Sequence, residues 1–176
     1  MNEIVNKSTI YNGKIITVEK KQLKLPNGVI VDREFVDHKP AATMLAIIDN
    51  AVVLVSQYRI GSNSQLLELP AGLMENGENP LACAKRELQE EIGYKANSIE
   101  LLGKYYLSPG FCNELIYLFL CTDLTPSKLP QDDDEFLSIH FLPINEIENF
   151  LNSNKCNDIK TALGLSLLLN KITSRR

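Results

Sequence analysis

The sequence predicts a single mixed α/β domain, and three observations predict it. Apolar and polar residues alternate from Ile15 to His38 on either side of Pro26-Asn27-Gly28, and Asn-Gly between two alternating runs is a strong hairpin signal. Two continuous apolar runs, Ala42 to Ile48 and Val52 to Tyr58, flank Asp49-Asn50, as expected for two buried strands joined by a tight turn. Between Asn79 and Gly93, Leu81, Ala84, Leu88 and Ile92 recur at helical spacing.

In chain order, the first element is an N-terminal antiparallel β-ribbon within residues 1–38, and residues 39–176 form the main domain. The two apolar strands begin its core sheet. Leu66 to Leu69 ends at Pro70, and the dozen residues that follow hold Gly72, Asn76, Gly77, Glu78 and Asn79, which is loop chemistry. Asn79 then caps a helix, Pro80 suits its first position, and Gly93 stops it. Strands follow at Ile99 to Tyr106, Leu115 to Cys121 and Leu137 to Leu142, the last preceded by the acidic loop Asp132 to Glu135. Helices over about Ile144 to Leu151 and Asp158 to Ile172 close the chain; the apolar run Ala162 to Leu169 has the spacing of a core-packing helix rather than a membrane-surface face. No internal repeat or interdomain linker interrupts this order.

Composition excludes several functions. With 176 residues and 44% hydrophobic content the chain can bury one sizeable core. The 18 Lys plus Arg against 22 Asp plus Glu give a net charge of -4, which argues against a protein that neutralises a nucleic-acid backbone. No stretch reaches the roughly 18 consecutive apolar residues of a membrane span, and MNEIVNKST lacks the basic-then-apolar layout of a signal peptide, so a cytoplasmic protein is expected. Cys83, Cys112, Cys121 and Cys156 show no C-x-x-C spacing and read as reduced thiols, mostly in the core.

The chemistry concentrates on the central helix. Glu87, Glu90 and Glu91 stand at i, i+3 and i+4, so their side chains share one face. At about 6 Å, two carboxylates repel by roughly 0.7 kcal/mol at a water-like dielectric and roughly 3 kcal/mol at an effective dielectric of 20. A solvated acidic face tolerates that cost; a hard divalent cation turns it into attraction.

Spacing separates the two readings. Gly72, five residues, Glu78, seven residues and then Arg86-Glu87-Leu88-Gln89-Glu90-Glu91-Ile92-Gly93-Tyr94 resembles the Nudix box, G-x5-E-x7-R-E-U-x-E-E-x-G-U with U a bulky aliphatic residue. Seven fixed positions match, which by average composition happens by chance on the order of once in 10⁸. Tyr94 departs from the pattern at a position that packs rather than reacts. The resemblance implies a Nudix fold, a mixed β-sheet core sandwiched between helices, and Mg²⁺ or Mn²⁺ held by Glu87, Glu90, Glu91 and the backbone carbonyl of Ala71. Arg86 and Glu78 would fix the loop and the carboxylates.

Further segments resemble the ADP-ribose pyrophosphatase branch of that family. These are Ser56-Gln57-Tyr58-Arg59, Leu67-Glu68-Leu69-Pro70-Ala71-Gly72, and Ser108-Pro109-Gly110-Phe111, with Pro109 16 residues after Gly93. GDP-mannose hydrolases carry similar Ser-Pro-Gly segments, and a strand-ending turn is the competing reading. The resemblance implies substrate contacts at Arg33, Arg59, Leu73, Ser108, Pro109, Gly110 and Glu114. Guanidinium groups suit phosphate oxygens, although Arg33 and Arg59 also read as solvated strand residues. Glu114 is a ribose hydroxyl acceptor or a strand-edge charge; Tyr11, Phe35, Tyr58 and Phe111 are candidates for an adenine slot. The general base falls on Glu135, with Asp133 and Asp134 as alternatives. Expected activity is metal-dependent hydrolysis of ADP-ribose to AMP and ribose 5-phosphate, by a homodimer whose ribbon brings Arg33 to the partner's site; the alternatives are another nucleoside diphosphate sugar such as GDP-mannose, or a non-catalytic ADP-ribose-binding module.

Overall fold

The computed structural model describes residues 2–131 and 136–174. It divides into two compact units, Met1–Pro40 with Tyr105–Ile116, and Ala41–Lys104 with Tyr117–Arg176.

The first unit is built on a three-stranded antiparallel sheet in the order β1 (Glu3–Asn12), β2 (Ile16–Lys24), β3 (Ile30–His38). The expected hairpin is β2–β3. Its turn returns Gly28 N–H to Leu25 O at 2.9 Å and Leu25 N–H to Val29 O at 2.8 Å, with Gly28 alone in the turn at positive φ (+84°). That is a three-residue loop with glycine at the left-handed position. β1 was not expected from the sequence. Register shifts between Ile4 and Asn6 and between Thr9 and Tyr11 break the two-residue period, and every residue of the strand is exposed, so no alternation survives to be read.

In the second unit the sheet follows the order β10 (Ser138–Pro143), β5 (Ala51–Arg59), β4 (Ala41–Ile48), β9 (Leu115–Pro126), β8 (Tyr94–Tyr106), with β6 (Ser64–Glu68) paired to β5 and β7 (Ala71–Leu73) to β4. β4 and β5 meet through Asp49 (φ 47°) and Asn50 (φ 62°), a two-residue turn that leaves Ile48 opposite Ala51. Ala41–Ala46 are all buried because β4 is covered on both faces. Ala42, Met44 and Ala46 pack with Val53, Val55, Phe119 and Cys121 against Cys83, Ala84, Leu88 and Ile92 of the central helix. Leu45 turns the other way, towards α3 (Ile159–Thr173), beside Leu69 and Leu118.

Two expectations about helices change. The C-terminal Ile144–Leu151 segment is a 3₁₀ turn, Ile144–Glu146, running into α2 (Ile147–Leu151). Leu81, expected in the buried stripe of the central helix, is 42% exposed; it lies in the first turn, and Cys83 takes the inward position. The apolar run of α3 buries Gly164, Leu165 and Leu168, as a core-packing helix should. The four cysteines are free thiols, three of them buried. No helix among the described residues is long and apolar enough to cross a membrane.

A Cβ on Gly164 would lie 2.6 Å from Leu69 Cδ1, 3.4 Å from Leu45 Cδ1 and 3.5 Å from Leu118 Cδ1. Gly164→Val should therefore overpack the junction of α3 with the sheet, costing about 1–3 kcal/mol and lowering the melting temperature in a calorimetric scan.

Candidate active site

The carboxylate-bearing element starts as α1 (Pro80–Glu87), with Asn79 Oδ1 accepting Ala82 N–H at 2.9 Å and Pro80 at the first position. It does not continue as an α-helix to Gly93. Residues Leu88–Ile92 form a π turn in which Gly93 N–H reaches Leu88 O, and Gly93, at φ +77°, closes it in the left-handed conformation. Glu87 therefore ends an α-helix, while Glu90 and Glu91 ride on a wider turn, a feature often found at functional sites.

Arg86 organises the acidic groups. Its Nε and Nη2 donate to the two oxygens of Glu78, both at 3.0 Å, and Nη1 donates to Glu87 Oε1 at 2.6 Å and Glu90 Oε2 at 2.8 Å. Nη2 also donates to Leu73 O at 3.1 Å, tying the loop to the helix. The hydrogen bond from Arg86 holds the Glu78 carboxyl below the usual carboxylate value, and that same bond raises the Arg86 guanidinium further above its ordinary range. One cation so holds three carboxylates within the reach of a single side chain.

The stretch expected as loop contains a short strand. β7 pairs with β4 in the register Ala42↔Gly72 and Thr43↔Ala71. Its pairing fixes the two backbone groups that matter: Ala71 N–H donates to Glu91 Oε2 at 3.1 Å, and the bare face of Gly72 lies against the carboxylate of Glu87, where a Cβ would come within 1.9 Å of Glu87 Cδ. Glu87 and Glu91 are only 7% and 5% exposed. Burial first, and then the charges of Glu87 and Glu78, push the nearby Cys83 thiol up to about 12, so it stays protonated at neutral pH.

The donor chemistry fits a hard divalent cation. Glu87, Glu90 and Glu91 offer only carboxylate oxygens, two of them are withdrawn from water, and Gly72 leaves the backbone open beside them. Among the described residues no three ligating side chains are already gathered at one point, because Arg86 engages Glu87 and Glu90 while Ala71 N–H engages Glu91.

A second polar network braces the same loop from behind. Glu68, 1% exposed, receives Arg59 Nε and Nη2 in a bidentate pair at 2.9 and 2.8 Å and Lys160 Nζ at 2.5 Å. Lys160 also bonds Asp158, the N-cap of α3, whose Oδ2 accepts Thr161 N–H and Oγ1–H; Thr161 Oγ1 accepts Leu69 N–H at 2.8 Å. Burial raises the Glu68 carboxyl, but the Arg59 hydrogen bond and the Lys160 charge outweigh it and hold the group below its ordinary value. The predicted substrate residue Arg59 is thus seated on Glu68, and the negative charge of Glu91 is among those raising its affinity for a proton. Nothing in the sequence pattern singled out Lys160, Asp158 or Thr161; a helix cap contacting a strand end is visible only in three dimensions.

The predicted residues fall in two groups. Arg59, Ala71, Leu73, Arg86, Glu87, Glu90 and Glu91 belong to the second unit, whereas Arg33, Ser108, Pro109, Gly110 and Glu114 belong to the first. Within the first unit, the Ser108–Glu114 segment is tied to β3, the strand that carries Arg33. Val36 N–H donates to Phe111 O at 2.7 Å, Asn113 N–H to Val36 O at 3.3 Å, and Asn113 Oδ1 accepts His38 N–H at 2.8 Å. Asn113 was missed by sequence reasoning, which has no signal for such a tie. Of the candidate aromatic residues, Phe35 carries the Lys21 ammonium 3.0 Å from its ring centroid and the Tyr58 hydroxyl donates to Asn63, while Tyr11 and Phe111 are 57% and 56% exposed. Glu135 and its alternatives Asp133 and Asp134 lie outside the described residues.

Comparison with known proteins identifies the family. Residues 37–160 match the NUDIX domain family. An ADP-ribose pyrophosphatase of Bacillus subtilis (strain 168) is 34% identical over 93% of this chain and 90% of its own length. A methanol dehydrogenase activator of Bacillus methanolicus is also 34% identical, over 90% of this chain and 88% of its own. In three dimensions the chain is similar to a crystal structure of an ADP compounds hydrolase, with a TM-score of 0.89 and 26% identity, covering 99% of this chain and 95% of that one. The chain belongs to the NUDIX family and is a Nudix hydrolase.

Two outcomes follow from the geometry. Gly72→Ala should displace the Glu87 carboxylate while leaving circular dichroism unchanged, and should weaken Mn²⁺ binding by about 10–100-fold in an electron paramagnetic resonance titration. The folded-state lowering of the Glu68 carboxyl means that its contribution to stability is complete above the ordinary value of 4.5 and is lost as pH falls through the lower folded value. Glu68→Gln should cost about 1–3 kcal/mol at pH 7 and flatten the acid limb of the stability curve in urea titrations.

Proposed function

We propose that this Nudix hydrolase cleaves the diphosphate linkage of ADP-ribose to AMP and ribose 5-phosphate with Mg²⁺ or Mn²⁺. The observation that carries the reading is the set of Glu87, Glu90 and Glu91 on one helix end beside the bare backbone of Gly72. The side chains of these three residues and the Ala71 carbonyl would hold the cation. When bound, it supplies neutralisation of the charge that builds on the diphosphate oxygens.

The remaining tasks fall to the chain's own groups. Arg86 keeps Glu87 and Glu90 aimed while it holds the loop through Glu78 and Leu73 O. Arg59 offers phosphate oxygens a guanidinium seated on buried Glu68, and Arg33 of β3 offers a second one to the site of the other protomer in the homodimer. Leu73 and Ser108-Pro109-Gly110 shape the substrate's position, and Glu114 accepts from a ribose hydroxyl. Glu135, or Asp133 or Asp134 in its place, takes the proton of the attacking water as its oxygen bonds to one phosphorus; the bridging P–O bond breaks, and its electron pair leaves on the departing phosphate. The working form is a homodimer, supported by the apolar residues Ile4, Ile10, Tyr11, Ile15, Val29 and Ile30, which the three-stranded unit leaves exposed.

Protein incubated with ADP-ribose and Mg²⁺ should release AMP and ribose 5-phosphate, measured by chromatography, with a higher kcat/KM than for GDP-mannose; chelation should abolish the reaction. Glu91→Gln should lose most of kcat and keep its melting temperature. ADP-ribose bound tightly but left intact by the wild type would mark a binding module instead.

A further inference from the structure

The π turn leaves a carbonyl over, and another part of the chain uses it. In an α-helix Gln89 O would accept the N–H of Gly93, but Gly93 N–H goes to Leu88 O instead. Gln89 O accepts Leu129 N–H at 3.1 Å. Two more bonds join the same pieces: Gln89 Nε2 donates to Ser127 Oγ at 2.8 Å, and Ser127 N–H donates to Gly93 O at 2.8 Å. The strap 127–129 is thereby fastened to the turn that carries Glu90 and Glu91. Lys128 and Gln131 of the strap also line a cavity of about 300 Å³ together with Glu90 and Glu91, so turn and strap are two walls of one space.

We propose that Gln89 is a positioning residue for the hydrolysis, acting with Ser127 to hold the helix end in its π register and so to set where Glu90 and Glu91 stand relative to Glu87. Gln89 occupies the one position between Arg86 and Glu91 that the box pattern leaves unspecified, and neither its charge nor its spacing marks it. Its side-chain amide and its backbone carbonyl both face the strap, and losing the side-chain bond leaves the released carbonyl with a weaker hold on Leu129. The turn can then relax to the α register by returning Gln89 O to Gly93 N–H. That change rotates Glu90 and Glu91 about the helix axis, away from the cradle at Gly72 and Ala71.

The inference rests on the metal-dependent reading of this site but not on the identity of the substrate, and the test keeps the two apart. Mn²⁺ binding to the substrate-free protein is measured by electron paramagnetic resonance for wild type, Gln89→Ala, Ser127→Ala and Ser127→Thr, beside kcat and KM for ADP-ribose and amide exchange at Leu129 and Gly93. Both alanine variants should bind Mn²⁺ about tenfold more weakly and lose kcat by a similar factor, with KM and melting temperature nearly unchanged. Faster exchange at Leu129 should accompany the loss, the double variant should be no worse than either single one, and Ser127→Thr should restore wild-type behaviour. Mn²⁺ affinity within twofold of wild type in both alanine variants would overturn the proposal, whatever substrate the enzyme prefers. So would a lowered melting temperature with unchanged Mn²⁺ affinity, the mark of a purely structural bond.

Discussion

Three of the four acidic side chains in the second unit's candidate site, Glu78, Glu87 and Glu90, depend on the guanidinium of Arg86. Placing Glu78, Glu87 and Glu90 around one point is unfavourable for any chain that lacks a central cation, because like charges at these distances repel by up to a few kcal/mol when partly withdrawn from water. Arg86 supplies that cation from within the helix, with its planar fork shared between a bidentate grip on Glu78 and single bonds to Glu87 and Glu90. Lysine, a point charge without the fork, would not hold loop and helix in one geometry. The strength of the arrangement shows in the low-lying Glu78 carboxyl, whose proton affinity is reduced chiefly by that grip.

The loop that Arg86 holds is clamped from three sides. β7 fastens it to β4, the Glu68 network fastens its beginning to Arg59 and the start of α3, and Leu73 O fastens its end to α1. These contacts are mostly between polar groups, and they centre on acceptors withdrawn from water, Glu68 at 1% and Glu87 at 10% side-chain exposure, where a missing bond is costly. A site built this way holds its carboxylates close together through the Arg86 guanidinium and the Ala71 N–H. The helix finishes irregularly: the last turn opens to π, and its spare carbonyl is taken by the strap after β9.

Much of this was legible in the residues. The Asn27-Gly28 and Asp49-Asn50 turns, the cap at Asn79, the stop at Gly93 and the two doubly buried strands were read from local chemistry, because each depends on φ preferences or on burial periodicity within a few residues. The box residues were readable from spacing alone. What escaped were β1, whose bulges erase the alternation; β7, three residues long and disguised by Gly72; and Leu81, whose place in the first turn takes it off the buried stripe. Each depends on a partner strand or on the exact end of a helix, neither of which is encoded nearby.

The sequence by itself determined the family, the acidic character of the candidate site and which carboxylates are its candidates, since those depend on residue type and on separation along the chain. Only the tertiary structure decided which backbone groups meet them. That the Ala71 N–H holds Glu91, that the bare face of Gly72 lies against Glu87, that Arg59 and Lys160 share Glu68, and that Gln89 faces Ser127 are all contacts between segments 9 to 92 residues apart. Pairings at such separations are selected by packing of the whole sheet against α1 and α3, and no local pattern records them.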